Sequence, residues 1–317
     1  MLMNAIRLNR FGGPETLELT QVDRPEPGAG EVEIRVIAAG VNPVDRKMRE
    51  GAAPQFLKPS ELPAILGRDV AGEISAVGAG VENWKIGQAC FAMMPEHEGA
   101  YVEYVTIAAD KVVAIPDTLD FITAGGVPLA SLTAWQGLFR YGKLAQGQRV
   151  LIHAGAGGVG HFAVQFAKAV GAYVFTTASE RDISFVKALG ADVVIDYKNA
   201  RFEDVATGLD LVFDTIGGET RERSWDLVKP GGRLITTLDE PDQAKASAHG
   251  ISASRFTARS DGADLAKIAD LISRGKVRPH IAKTFALDQA GEAQEELKQG
   301  GIVGKIVLSV ADTSSSQ

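Results

Sequence analysis

Gly155, Gly157 and Gly160 form a G-x-G-x-x-G series within "RVLIHAGAGGVGHFAVQFAKAVG", residues 149–171. An apolar run precedes the series and a helical apolar stripe follows it, which is the context a pyrophosphate-binding turn requires. There Gly155 permits the tight turn, Gly157 lets the backbone approach a pyrophosphate, and Gly160 lets helix and strand pack closely. Ala156, Gly158 and Val159 complete the loop, whose N–H groups and helix N-terminus would face the anion. The bland alternative is a glycine-rich turn with no ligand. A dinucleotide is further specified at the end of the next strand, where NAD proteins place an acid about 20 residues on. Here Ser179 stands 19 residues after Gly160, followed by Glu180 and Arg181. Strand alternation turns Glu180 away from Ser179. Arg181 could pair with a 2′-phosphate, Ser179 could donate to it, and Tyr197 in "IDYK" could cover the same group. Against this, Arg181 could simply open a solvated helix. The balance favours NADPH over NADH.

A second stretch with chemistry in it is "GVNPVDRKMREG", 40–51. Asn42 suits a helix N-cap, Pro43 the first helical position, Asp45 the first turn and Gly51 the stop. Cys90 is the one cysteine of the chain. It can form no intrachain disulfide and no multi-cysteine zinc site, and it reads as a small core residue. His97, His153 and His161 have no spacing that indicates a metal or a triad and read as structural.

These residues need elements to hold them. Residues 1–120 read as β-rich, with strands in 31–41, 70–81 and 100–116 and turns at 12–14, 25–30, 59–67 and 78–80. From 121 onward strands and helices alternate, with a helix around 218–228, which implies a parallel sheet covered on both faces. Residues 264–275 and 288–300 read as helices, 304–310 as a strand, and the tail "ADTSSSQ" as frayed. An all-β part, an α/β part and a mixed part in that order suggest one domain split by another. The 317 residues suit two domains, and 45% apolar with 23% charged residues suits a soluble globular chain. A net charge of −7 without a basic cluster argues against a nucleic-acid partner. No run approaches a membrane span, so a cytoplasmic location is the expectation.

The chain resembles the medium-chain dehydrogenase/reductase superfamily, in particular its zinc-free quinone oxidoreductase (zeta-crystallin-like) and NADPH-dependent alkenal reductase branch. The resemblance is carried in order by "AAGVNPVDRKMREG" (38–51), "PAILGRDVAGEISAVGAGV" (63–81), "GAYVEYVTI" (99–107), "PLASLTAWQGL" (128–138), "HAGAGGVGHFAVQFAKAVGA" (153–172), "FDTIGG" (213–218) and "GGIVGKIVL" (300–308). It implies an α/β protein. A GroES-like β-rich catalytic domain (1–122 and 263–317) is split by an inserted Rossmann domain, a doubly wound parallel sheet (123–262), with the nicotinamide in a cleft.

Zinc-dependent relatives carry Cys and His where this chain has Asn42 and Arg68, so the resemblance implies no metal. Hydride from NADPH would then go directly to a quinone or an α,β-unsaturated carbonyl, which needs donors near the developing oxyanion and one proton. Lys47 is a candidate for either task, against an ordinary solvated helix lysine. By matched position Asn42 and Thr133 approach the cofactor, and Ile216 and Gly217 lie beside the nicotinamide ribose. Phe256 flanks the nicotinamide or serves in the core or a dimer. Lys305 is a phosphate or cleft lysine or a surface one. Arg68 touches substrate or cofactor, or pairs with Asp69 or another local acid. A homodimer is expected, with 250–258 as a natural pairing edge. Two alternatives stand beside the reductase: an enoyl-thioester reductase, and a non-catalytic NADPH-binding protein.

Overall fold

The structure, a computed structural model, describes residues 1–310 apart from His97. The expectations for His97 and for the tail 311–317 lie outside the described residues. The chain divides into two compact units. Among the described residues the first comprises 1–129, 260–274 and 279–310, and the second 130–259 and 275–278.

The spine of the first unit is the strand Glu31–Val41, eleven residues rich in β-branched side chains. It pairs antiparallel with Asp69–Val77, Lys305–Ser309 and Tyr104–Ala108. Ala89–Met93, Val113–Ala114 and Ile281–Ala286 extend this seven-stranded sheet. Ile34, Val70, Ile74, Cys90, Ile306 and Leu308 are buried between its faces and the covering segments. A smaller sheet pairs Leu2–Leu8 with Leu17–Asp23 and Ala64–Ile65. That hairpin was not among the strands expected, because Asn4, Arg7 and the alternate polar residues of 17–23 dilute its apolar pattern. The spine runs straight into the helix Pro43–Arg49, and Gly51 at φ +73 lets the chain turn away after it.

The second unit holds a six-stranded parallel sheet. Its spatial order is Val193–Asp196, Tyr173–Ala178, Arg149–Ile152, Leu209–Asp214, Val228–Thr236 and Ser252–Arg255. In chain order this reads third, second, first, fourth, fifth, sixth, the doubly wound arrangement. Val150, Leu151, Ile152, Val212 and Phe213 are fully buried, as strands covered on both faces must be. The helix Gly160–Ala169 follows the first strand. The helix expected around 218–228 is broken into Gly218–Glu222 and a 3-10 turn at Trp225–Leu227. Burial of Trp225 explains the break, since its indole is drawn into the core rather than left on a helix flank.

Candidate active site

In the second unit the glycines do separate work. An ideal Cβ on Gly155 would lie 2.1 Å from Thr176 Oγ1, and one on Gly160 2.0 Å from Ala154 O. Both positions therefore exclude any larger residue. At Gly157 a Cβ would meet Ala154 O at a tight 3.3 Å and no other heavy atom within 4 Å, so beyond that one contact the side is open. A bare backbone facing open space is what close approach of a pyrophosphate requires. Ala154 is held at φ +57, where a non-glycine residue is strained, and its N–H donates to Thr177 Oγ1 at 3.0 Å. Beneath the turn the buried His153 ring bridges Thr177 Oγ1 (3.3 Å) and Ser224 Oγ (2.9 Å). Burial pushes its pKa down to about 4, so it is a neutral tie near pH 7.

The first and fourth strands are neighbours, so the turns after them open on the same edge of the sheet. Here the strand order reverses, the place where such sheets take ligands. In the turn after the fourth strand, Asp214 Oδ1 accepts from the N–H groups of Ile216 (2.9 Å) and Gly217 (2.8 Å). Gly217 sits at φ +75, and the Ile216 side chain is left exposed. Thr215 Oγ1 donates to His153 O at 3.2 Å, which ties this turn to the glycine turn. Thr133 is buried on the helix Pro128–Trp135. Phe256 is buried too, stacked on Tyr141 at 4.7 Å between ring centroids and 6.2 Å from Phe213.

Where the second strand ends, Ser179 and Arg181 open a 3-10 turn at Glu180–Asp182, and Tyr197 is exposed at the end of the neighbouring third strand. The Tyr197 N–H donates to Ala178 O at 3.2 Å, so the two strand ends lie side by side. Asp182 was not anticipated. It accepts the hydroxyl proton of Ser179, and the Arg181 Nε lies 3.5 Å from its other oxygen. Its signal in the sequence was the S-x-x-D spacing, read only for Ser179 and Arg181.

In the first unit, Asn42, Asp45, Arg68, Asp69, Tyr101 and Lys305 are all buried. Asn42 occupies the N-cap position of Pro43–Arg49 in a capping box with Asp45, whose carboxylate accepts from Asn42 N at 2.8 Å while the Asp45 N–H donates to Asn42 O at 3.0 Å. The Asn42 amide is engaged elsewhere. Its Nδ2 donates to Asp69 Oδ2 (2.8 Å), and its Oδ1 accepts from Lys305 Nζ (2.5 Å). Lys305 Nζ also donates to Val41 O (2.9 Å) and lies 3.5 Å from Asp69 Oδ2. The surface reading of Lys305 is thereby corrected: the residue is 4% exposed, and its donors are used inside the unit.

Arg68 does not pair with Asp69. Its Nε donates to Met94 O at 3.0 Å, while Asp69 takes Asn42, Lys305 and the Leu129 N–H. Burial lowers the Arg68 pKa. The Asp45 carboxylate accepts from Asn42 N (2.8 Å) and Tyr101 OH (2.9 Å), yet burial pushes its pKa up to about 6. Lys47 is half-buried, and its ammonium makes no hydrogen bond or ion pair among the described residues.

The profile of the alcohol dehydrogenase GroES-like domain matches residues 28–117, and that of a zinc-binding dehydrogenase matches residues 189–308. The chain is 34% identical over 325 residues to a quinone oxidoreductase of Pseudomonas aeruginosa, covering 96% of this chain and 98% of the relative. The chain belongs to the medium-chain dehydrogenase/reductase superfamily. A chloroplastic NADPH-dependent alkenal/one oxidoreductase of Arabidopsis thaliana is 33% identical over 318 residues, which is 96% of this chain and 79% of that protein. The solved quinone oxidoreductase from Coxiella burnetii superposes with a TM-score of 0.90 at 36% identity, covering 98% of this chain and all of that one. The GroES-like and Rossmann-type architecture expected from the resemblance is the one observed.

Proposed function

We propose that this chain is an NADPH-dependent, zinc-independent oxidoreductase that reduces quinones or α,β-unsaturated carbonyls. The observation that carries the reading is the open backbone at Gly157, set where the sheet order reverses. Similarity to the Pseudomonas quinone oxidoreductase and the Arabidopsis alkenal/one oxidoreductase supports the acceptor class.

Gly155, Ala156, Gly157, Gly158 and Val159 would hold the pyrophosphate on backbone N–H groups, with Ile216 and Gly217 beside the nicotinamide ribose. Ser179, Arg181 and Tyr197 would take the adenosine ribose and its 2′-phosphate. When bound, NADPH supplies the hydride. Zinc does not fit the residues in hand: the metal-site positions hold an amide whose oxygen accepts from Lys305, and a guanidinium. The buried Cys90 thiol is pushed far up in pKa, which disfavours a thiolate ligand. Without a Lewis acid, the ammonium of Lys47, which has no hydrogen bond or ion pair among the described residues, is the proposed partner for the oxyanion or source of the proton. Asn42 and Arg68 complete the proposed catalytic set, and Thr133, Phe256 and Lys305 remain proposed cofactor neighbours.

The test is to mix the purified protein with NADPH and a panel of quinones, enals and enones while following nicotinamide absorbance. Enzyme-dependent consumption with at least one acceptor is expected. No consumption with any of them would sink the reading.

A further inference from the structure

Three groups converge where a 2′-phosphate would be read, and one of them has the wrong sign for it. A serine hydroxyl has a single proton to donate. That of Ser179 is already given to Asp182. Arg181, the cation of the trio, has its Nε 3.5 Å from the same carboxylate. The Asp182 side chain is only 13% exposed, whereas that of Arg181 is 64% exposed. The acid is therefore seated against the strand end and the base leans in from solvent. Glu180, the acid adjacent to Ser179, is exposed.

We infer that Asp182 is a specificity-determining residue, which holds the cofactor site between NADPH and NADH. The inference rests on the functional reading above. A bound NADH would offer ribose hydroxyls, and a carboxylate at this strand end can accept their protons, the task an acid performs in NAD-binding sheets. Asp182 lies 22 residues after Gly160, close to the usual distance, in a position the count to Ser179 passes over. A bound NADPH would bring a phosphate of about two negative charges next to the same carboxylate. Ser179 must then exchange Asp182 for the phosphate, and Arg181 must serve the phosphate as well as Asp182. Repulsion at such a half-buried site is on the order of a tenfold effect on the relative use of the two cofactors. The chain should consequently accept both.

The experiment compares wild type with Asp182→Asn, which removes the charge and keeps the shape, and with Asp182→Ser in parallel. For each protein kcat/KM is measured with NADPH and with NADH on one acceptor, and binding of each cofactor is followed by reduced-nicotinamide fluorescence. The expected result is that wild type uses both cofactors and that both variants raise the NADPH to NADH ratio by about tenfold. The change should sit mainly in KM, and NADH should lose while NADPH gains. A purely structural Asp182 would move both cofactors together, and an unchanged ratio in both variants overturns the inference while leaving the reductase reading intact. Wild-type protein that binds neither nicotinamide overturns the reading and the inference with it.

Discussion

Gly157 and Gly160 share one turn yet differ in what a methyl would cost. Gly160→Ala drives a Cβ to 2.0 Å from a backbone oxygen that cannot swing aside, so the turn must distort. A loss of about 2–3 kcal/mol of stability is expected, read as the shift in urea midpoint. Gly157→Ala brings its methyl only to 3.3 Å from the same oxygen, a much smaller misfit. Its midpoint should fall far less than that of Gly160→Ala, while its affinity for NADPH falls about tenfold or more because the methyl stands where the pyrophosphate must approach. Equal midpoints for both variants would contradict the contact geometry. Lys305 makes the complementary case. Lys305→Met removes the cation that donates to the Asn42 amide and takes away the ion-pair partner of the buried Asp69. That should lower stability by about 3 kcal/mol, with a refolded midpoint as the check. The glycines were legible from their spacing alone. Lys305 was not, since "GKIVL" reads equally as an exposed strand end or a buried one, and only the neighbours supplied by residues 41, 42 and 69 decide it.

At the scale of elements, Asp45 fixes the start of the helix Pro43–Arg49, because its carboxylate accepts from the N-cap N–H of Asn42. The N-cap, the proline and the stop stand where the sequence places them, and the Asn42 side-chain amide is engaged in addition by Asp69 and Lys305. Asp45 has a pKa of about 6 in the fold against an ordinary 3.8. The folded state therefore holds this proton more tightly than the unfolded chain. Its favourable contribution is complete below about pH 4 and is lost as pH rises through about 6. The two values differ by about two pH units, or about 3 kcal/mol. His153 acts in the opposite sense: with its pKa near 4, stability is lost as pH falls from about 6.5 through about 4. Comparing Asp45→Asn with wild type isolates the first effect. The variant should gain on wild type as pH is raised from about 4 to about 7, and a constant difference across that range would contradict the burial argument.

Other elements show the limits of pattern reading. The alternation beyond residue 121 was plain because buried parallel strands are nearly all apolar. The hairpin of Leu2–Leu8 and Leu17–Asp23 was missed because its polar residues alternate irregularly, and the break after Glu222 was missed because burial of Trp225 is a tertiary effect.

For the whole molecule, the order of blocks along the chain was enough to indicate an all-β part interrupted by an α/β part. The compact units exchange at 129/130 and 259/260, and 275–278 return to the second unit, a detail without a compositional signal. Among the described residues no helix is long and apolar enough to cross a membrane. The proposed function is direct hydride transfer without a metal. It is tested most directly with NADPH deuterated at the transferring position of nicotinamide C4, an α,β-unsaturated ketone as acceptor, and mass spectrometry of the product. The account predicts one deuterium at the β-carbon and a solvent proton at the α-carbon. A reduced product with no deuterium on carbon, or reduction only in the presence of added zinc, would contradict it.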